Sequence, residues 1–291
     1  MDWITGIQRA IDYIEDNITE NLDYDEIAKR AYSSSYHFQR VFGILCGQTL
    51  GEYIRERRLT LAASELVSSN GKVIDVAIKY GYDSSESFGR AFSKFHGVTP
   101  SKAKSCGKNL KSFSKLTVKL VLEGGTVMNY RIEEKKAFKV IEKVKLFSTK
   151  NEENMKGIPL FWDASRNDGT IQKLCEFCVG TELDNLILGI CYGDNCDNTK
   201  EFSYSIATGY NGNPVPDGFR VNQIKSSTWA IFKCKGAMPI AIQNMWHRIY
   251  TEFFPTSDYI PKNEVDFEVY PDGDMNSQDY ESEIWIAVEK K

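Results

Sequence analysis

The sequence has little histidine and no long apolar run. Its three histidines, His37, His96 and His247, form no nucleophile–base spacing in 291 residues, so histidine-based hydrolysis is not expected. Without a stretch of about 18 apolar residues, no transmembrane helix is expected. The N-terminus, MDWITGIQRAIDYIEDN, has acids throughout and lacks the basic and apolar blocks of a signal peptide, which points to the cytoplasm. A basic balance is missing too: the net charge is −4 and the pI about 5.6, values that alone suggest no nucleic-acid partner. Seven cysteines are an odd number in a chain without an export signal, so reduced thiols are expected rather than a disulfide framework.

What is present is globular. A composition of 42% hydrophobic and 26% charged residues supports real cores, and the length suggests about two domains. The charge is uneven. Residues 1–122 hold 17 Lys+Arg against 14 Asp+Glu, a net of +3, while residues 123–291 hold 19 against 26, a net of −7. That asymmetry fits a polyanion-binding half joined to a half that tolerates cations.

The strongest signal is a repeat. Offset by 50 residues, segment 25–49 meets 75–99 with ten identities in 25 pairs, among them Ser34/Ser84, Ser35/Ser85, Phe38/Phe88, Arg40/Arg90, Phe42/Phe92 and Gly47/Gly97. Chance gives about one or two, so one structural unit is used twice. In copy one, Asp23-Tyr24-Asp25-Glu26 has the form of a capping box and starts a short helix through Ala31. Ser34 is the expected N-cap of a second helix running towards Gly47. Phe38, Val41, Phe42 and Leu45 share one face of it, which leaves Tyr36, Gln39 and Arg40 pointing elsewhere. In copy two, Val73 starts a helix ended by Gly81-Tyr82, and Asp83 or Ser84 caps the next. Phe88, Ala91, Phe92 and Phe95 form its buried stripe, with Ser85, Glu86, Ser87 and Arg90 outside.

Two short helices, a tight turn and polar residues opening the second helix make the helix-turn-helix layout. The second helix of that motif enters the DNA major groove, where Arg pairs with guanine and Gln with adenine. Packed helices with solvated outer faces explain a single copy as well, but duplication at the same Ser-Ser, Phe, Arg and Phe positions argues against that. Thr49-Leu50-Gly51-Glu52 is a further capping box, opening a helix of about 18 residues and about 27 Å. Such a spacer suits two reading helices one DNA turn, about 34 Å, apart. Its run Arg55-Glu56-Arg57-Arg58 reads as phosphate contacts or as a solvated face. Trp3, Ile7, Ile11, Ile14 and Ile18 form a stripe that packs against copy one.

With Gly81-Tyr82, Phe88-x-Arg90-x-Phe92 and Gly97-Val98-Thr99-Pro100 in order, residues 4–104 resemble the twin helix-turn-helix domain of AraC/XylS-type transcription regulators. The resemblance implies base contacts from Tyr36, Gln39 and Arg40 on the first reading helix, and from Ser85, Glu86, Ser87 and Arg90 on the second. Glu86 repels phosphate unless it accepts from a cytosine amine. Where that family usually has an aromatic-Arg pair after the proline, this chain has Ala103-Lys104.

Ser101 to Lys115 is Ser/Lys-rich and reads as a linker or helix end. Beyond it, Leu116, Val118, Leu120 and Leu122 alternate as in a strand before Gly124-Gly125. Further strand-like runs are Val127–Ile132, Phe138–Val144, Leu186–Tyr192, Phe202–Ala207, Thr228–Lys233, Val265–Tyr270 and Ile284–Val288. Helical stretches cover Gly157–Ala164, extending to Val179, and Pro239–Phe254. The expected architecture is therefore multidomain: an all-α twin helix-turn-helix domain over 1–108, a linker with a first strand over 109–126, and an α+β domain over 127–291 with a curved antiparallel sheet.

The second half resembles the GyrI-like effector-binding domain. The resemblance rests on Tyr130-Arg131-Ile132, Ile158-Pro159 before Phe161-Trp162, Val215-Pro216-Asp217-Gly218-Phe219, Trp229-Ala230-Ile231-Phe232, Met245-Trp246-His247-Arg248, Asp266-Phe267-Glu268-Val269-Tyr270 and Glu283-Ile284-Trp285 in order. The domain order is Rob-like. Glu268 alternates with Phe267 and Val269. A carboxylate among aromatics loses solvation that an arriving cation restores, and each aromatic face adds about 0.5–2 kcal/mol of cation–π attraction. The resemblance makes Glu268 the effector carboxylate and Trp162, Tyr192, Tyr204, Trp246, Tyr270 and Trp285 its wall. For each aromatic, a place in the core is the plainer alternative.

Cys175-x-x-Cys178 and Cys191-x4-Cys196 have a zinc-like spacing, but Cys191 lies inside an apolar run, so neither metal nor cofactor is expected. The expectation is a non-enzymatic, one-component activator. It binds double-stranded promoter DNA, senses a small lipophilic molecule, neutral or cationic, contacts RNA polymerase and involves no membrane. The alternative, also implied by the resemblance, is a C-terminal domain that hydrolyses reactive small molecules or binds other proteins.

Overall fold

A computed structural model describes residues 3–69, 71–106, 110–118, 127–148, 153–193 and 201–291. They form two compact units, one within residues 2–121 and one within 122–291.

The first unit is helical: α1 (Trp3–Asp16), α2 (Tyr24–Arg30), α3 (Ser35–Cys46), α4 (Leu50–Ser68), α5 (Val73–Lys79), α6 (Ser85–His96) and α7 (Pro100–Cys106). Both copies of the repeat are built alike. Ser34 Oγ accepts from His37 N at 3.2 Å to start α3, and Ser84 Oγ accepts from Ser87 N at 3.1 Å to start α6. Both helices stop at a left-handed glycine, Gly47 at φ 66° and Gly97 at φ 77°, a conformation that costs glycine little. Phe38, Phe42, Phe88 and Phe92 are buried, as the apolar stripes require. On α1, Ile7, Ile11 and Ile14 are buried, as is Ile18 just past its end; Trp3's side chain lies outside what the structure describes. Gly6 lets α1 approach closely, since a Cβ there would sit 3.1 Å from the Ala31 backbone.

Between the copies, α4 carries its capping box: Glu52 N donates to Thr49 Oγ1 at 3.2 Å and Thr49 N to Glu52 Oε2 at 3.0 Å. Two residues of its charge run turn inward. Arg57 is buried, with its Nη2 2.6 Å from Glu15 Oε2 on α1, and Arg58 donates to the Ile18 and Glu20 carbonyls. These guanidiniums brace the unit, leaving Arg55 exposed. Ala103, in place of the expected aromatic, is buried against α4 and α6 with Phe88 and Phe92.

The strand expected from Lys115 does not form over its described part. Residues 110–118 are irregular, because their N–H groups find side chains rather than a neighbouring strand. Lys111 N donates to His96 Nδ1, Phe113 N to Thr60 Oγ1, Leu116 N to the Tyr53 hydroxyl and Val118 N to Gln8 Oε1. The segment is thereby strapped to the helical unit.

The second unit is one eight-stranded antiparallel sheet: β1 (Tyr130–Lys135), β2 (Phe138–Ser148), β3 (Leu186–Tyr192), β4 (Glu201–Gly209), β5 (Arg220–Ile224), β6 (Ser227–Lys235), β7 (Tyr259–Pro271) and β8 (Glu281–Lys290), in the order β1-β6-β8-β7-β3-β4-β2-β5. The run expected from Val127 starts as a strand only at Tyr130, and β5 is a strand outside the expected runs. The single helix expected to Val179 is two, α8 (Glu153–Asn167) and α9 (Thr170–Cys178), broken by Gly169 at φ 79°. After α10 (Ile240–Arg248) the chain passes through a π-helical turn, Ile249–Phe253, to the short α11 (Phe254–Thr256).

Strand alternation gives the sheet two faces. One carries Leu188, Ile190, Phe267, Val269, Trp229, Ile231 and Trp285, which pack together as a core. The opposite face carries the helices, with α8 and α9 over β2 and its neighbours and α10 over β6 and β8. Among the described residues no helix is long and apolar enough to cross a membrane.

Candidate functional site

The two reading helices differ in exposure. On α6, Ser85, Glu86 and Arg90 are exposed and Ser87 is half-buried. Arg90 Nη1 donates to Glu86 Oε1 at 2.8 Å, one turn apart, so the acid that would repel phosphate holds the cation that would bind guanine. On α3, Tyr36 and Gln39 are buried, which differs from the outward placement expected, and Arg40 is half-buried. Gln39 Nε2 donates to Ser35 Oγ at 3.2 Å.

In the sheet unit, five of the seven aromatic and acidic candidates come together on the helical face. Glu268 lies on β7, half-buried. Its Oε1 accepts from Trp246 Nε1 of α10 at 2.9 Å and its Oε2 from the Tyr270 hydroxyl at 3.0 Å. Trp162 of α8 stands edge-on to Tyr270, with ring centroids 5.4 Å apart, and its Nε1 donates to the Tyr204 hydroxyl at 2.8 Å. Directly across from Glu268 on β3 is Gly189. A Cβ there would collide with the Tyr204 hydroxyl and lie 3.1 Å from Trp162. Gly189 thus makes room for the two rings, a role that an isolated glycine in an apolar strand signals. Both of the donors on Glu268 are neutral, and together they aim the carboxylate.

Trp285 and Tyr192 do not join this group. Trp285 pairs in register with Phe267, so it faces the other side, near the Trp229 and Phe267 rings. Tyr192 belongs to a separate polar cluster on that side. Its hydroxyl contacts Glu142, which is fully buried and also accepts from Ser205 Oγ at 2.7 Å and Arg220 Nε at 2.9 Å. Burial, with Glu142 beside it, pushes the Tyr192 hydroxyl pKa up. This cluster was missed in the sequence; its signal is the acid between Val140 and Val144 on one face of β2. Cys178 Sγ turns back to the Cys175 carbonyl at 3.0 Å, and Cys196 lies outside the described residues. No group of three or more metal-ligating side chains occurs among the described residues.

A duplicated, capped helix-turn-helix followed by a sheet with an acid set among aromatics defines a DNA-binding regulator joined to an effector-binding domain. Residues 131–288 match the integron-associated effector binding protein family, and residues 27–105 match a helix-turn-helix domain. The chain is 44% identical over 95 residues to the HTH-type transcriptional activator AarP of Providencia stuartii, covering 33% of this chain and 70% of the relative. It is 42% identical over 95 residues to the regulatory protein SoxS of Salmonella typhimurium, covering 33% of this chain and 89% of the relative. A solved structure of a protein bound to tetraphenylphosphonium aligns with 56% of this chain and 94% of its own, at 26% identity and a TM-score of 0.49. The chain belongs to the AraC-type helix-turn-helix transcription regulators, and carries a C-terminal domain of the integron-associated effector-binding family.

Proposed function

We propose that this chain is a cytoplasmic, one-component transcription activator that binds promoter DNA through α3 and α6 and takes a lipophilic cation at Glu268. The observation that carries the effector half is the Glu268 carboxylate itself, held by two neutral donors beside the Trp162 and Tyr270 rings. Such a site attracts a cation by charge and by ring quadrupoles together. Trp162, Tyr204, Trp246 and Tyr270 form the wall of this reading; Trp285 and Tyr192 serve the fold. Activation, rather than repression, is supported by AarP being an activator, and an activator of this kind contacts RNA polymerase. The reading is non-enzymatic.

On the DNA side, α6 offers Ser85, Glu86, Ser87 and Arg90 to base edges, and α3 offers Tyr36, Gln39 and Arg40. Reading by α3 requires Tyr36 and Gln39 to become accessible. The first test is calorimetry of the whole chain with benzyltributylammonium and a neutral aromatic of matched size. Glu268→Gln is expected to weaken the cation and leave the neutral compound unchanged. Equal losses for both would refute charge reading at Glu268.

A further inference from the structure

The helical unit holds a groove of about 540 Å³ that the reading above does not use. Its floor is apolar. Leu59 of α4 is buried, and Ala91 and Phe95, one turn apart on α6, are half-buried beside it. Its rim is cationic: Arg55 stands one turn before Leu59, Lys94 lies next to Phe95, and Lys111 comes from the strapped segment, all three exposed. Glu56 is the one acid among the lining residues.

One buried side chain fixes all three walls. His96, at the end of α6, has Nε2 3.1 Å from the Leu59 carbonyl of α4, and its Nδ1 accepts from Lys111 N at 3.1 Å. With Nδ1 accepting from a backbone N–H, the ring is neutral and Nε2 donates. The groove is therefore framed by backbone atoms in fixed places, not by long side chains meeting by chance.

We propose that this groove is a second small-molecule site, one that takes an aromatic monocarboxylate. The ring lies on Phe95 and Leu59, and the carboxylate sits among Lys94, Lys111 and Arg55. The volume falls within the range of about 300–1,000 Å³ typical of small-ligand sites. Lys94, Lys111 and Arg55 outweigh Glu56 and the Glu52 carboxylate that lies 3.9 Å from Arg55, so the rim favours an anion, and the apolar floor favours an anion that carries a ring over inorganic phosphate. The charge preference is opposite to that of Glu268, so the two sites take different ligands.

The test is calorimetric titration of the full chain with 2-naphthoate. Saturable binding is expected, about tenfold weaker in Lys94→Gln and in Lys111→Gln. Neutral 2-naphthylmethanol is expected to bind far more weakly than the acid. Glu268→Gln is expected to leave naphthoate binding unchanged, which separates this site from the proposed effector site. Both lysines are exposed, and Gln at 111 keeps the N–H that His96 accepts, so the variants are expected to fold, as circular dichroism would verify. Absent saturation, indifference to the lysine substitutions, or loss in Glu268→Gln would overturn the proposal. It would also be overturned if a short acidic peptide bound where naphthoate did not, or if the lysine variants altered only duplex affinity.

Discussion

Arg57 and Arg90 are both arginines on helix faces, yet they do opposite jobs. Arg57 forms a nearly buried pair with Glu15, which also accepts from the Tyr53 hydroxyl at 2.7 Å. Removing one partner of such a pair costs about 3–5 kcal/mol, so Arg57→Ala is expected to lower stability by that order in chemical denaturation; a change below about 1 kcal/mol would mean the pair is solvated. Burial raises the Glu15 pKa, but the Arg57 guanidinium and the Tyr53 hydroxyl outweigh it, and the net shift is below the ordinary 4.5. The folded value being depressed, this contribution is complete above pH 4.5 and is lost as pH falls through the folded pKa. Arg90 is exposed and tied to Glu86. Arg90→Ala is expected to weaken specific DNA binding by about 1–3 kcal/mol. Glu86→Gln is expected to raise affinity for every duplex, since it removes repulsion and frees Arg90. Anisotropy titrations decide this, and weaker binding in Glu86→Gln would show instead that Glu86 accepts from a base. None of this division was legible in Arg55-Glu56-Arg57-Arg58, because which arginine turns inward depends on where α1 places Glu15.

Helices were legible because their signals are local. The Ser34 and Ser84 caps, the Gly47 and Gly97 stops and the Thr49/Glu52 box each lie within a few residues of what they control. Thr49→Ala is expected to cost about 1 kcal/mol, read from the thermal midpoint. In the 110–118 segment only the alternation that begins at Leu116 and Val118 reads as a strand, while the segment's partners, Gln8, Tyr53, Thr60 and His96, are remote in sequence. His96 gives that element a pH dependence. Burial, with a smaller push from Lys111, holds its pKa below the ordinary 6.5 despite the Leu59 carbonyl. The neutral ring is the folded form, so the stabilisation is full above pH 6.5 and declines as pH drops below it. The protection factor of the Lys111 amide, which already divides out the slower intrinsic exchange at low pH, is expected to fall between pH 7 and pH 5 in the wild type. An unchanged protection factor would contradict the His96 tie.

At the scale of the molecule, the order of the two domains was readable, but which side chains gather around Glu268 was not. Strand alternation places Glu268 opposite to Phe267, yet only cross-strand register shows that Trp285 sides with Phe267 and Gly189 with Glu268. A register slip between Pro261 and Asp266 makes that pairing impossible to count from the sequence. If a cation at Glu268 shifts the chain's DNA affinity, the duplex must shift the cation's affinity by the same factor. The most direct measurement is anisotropy of a promoter duplex titrated with the chain, with and without saturating benzyltributylammonium, in wild type and in Glu268→Gln. A shift in duplex affinity in the wild type that vanishes in Glu268→Gln is the expected result; identical duplex curves with and without the cation in the wild type would contradict it.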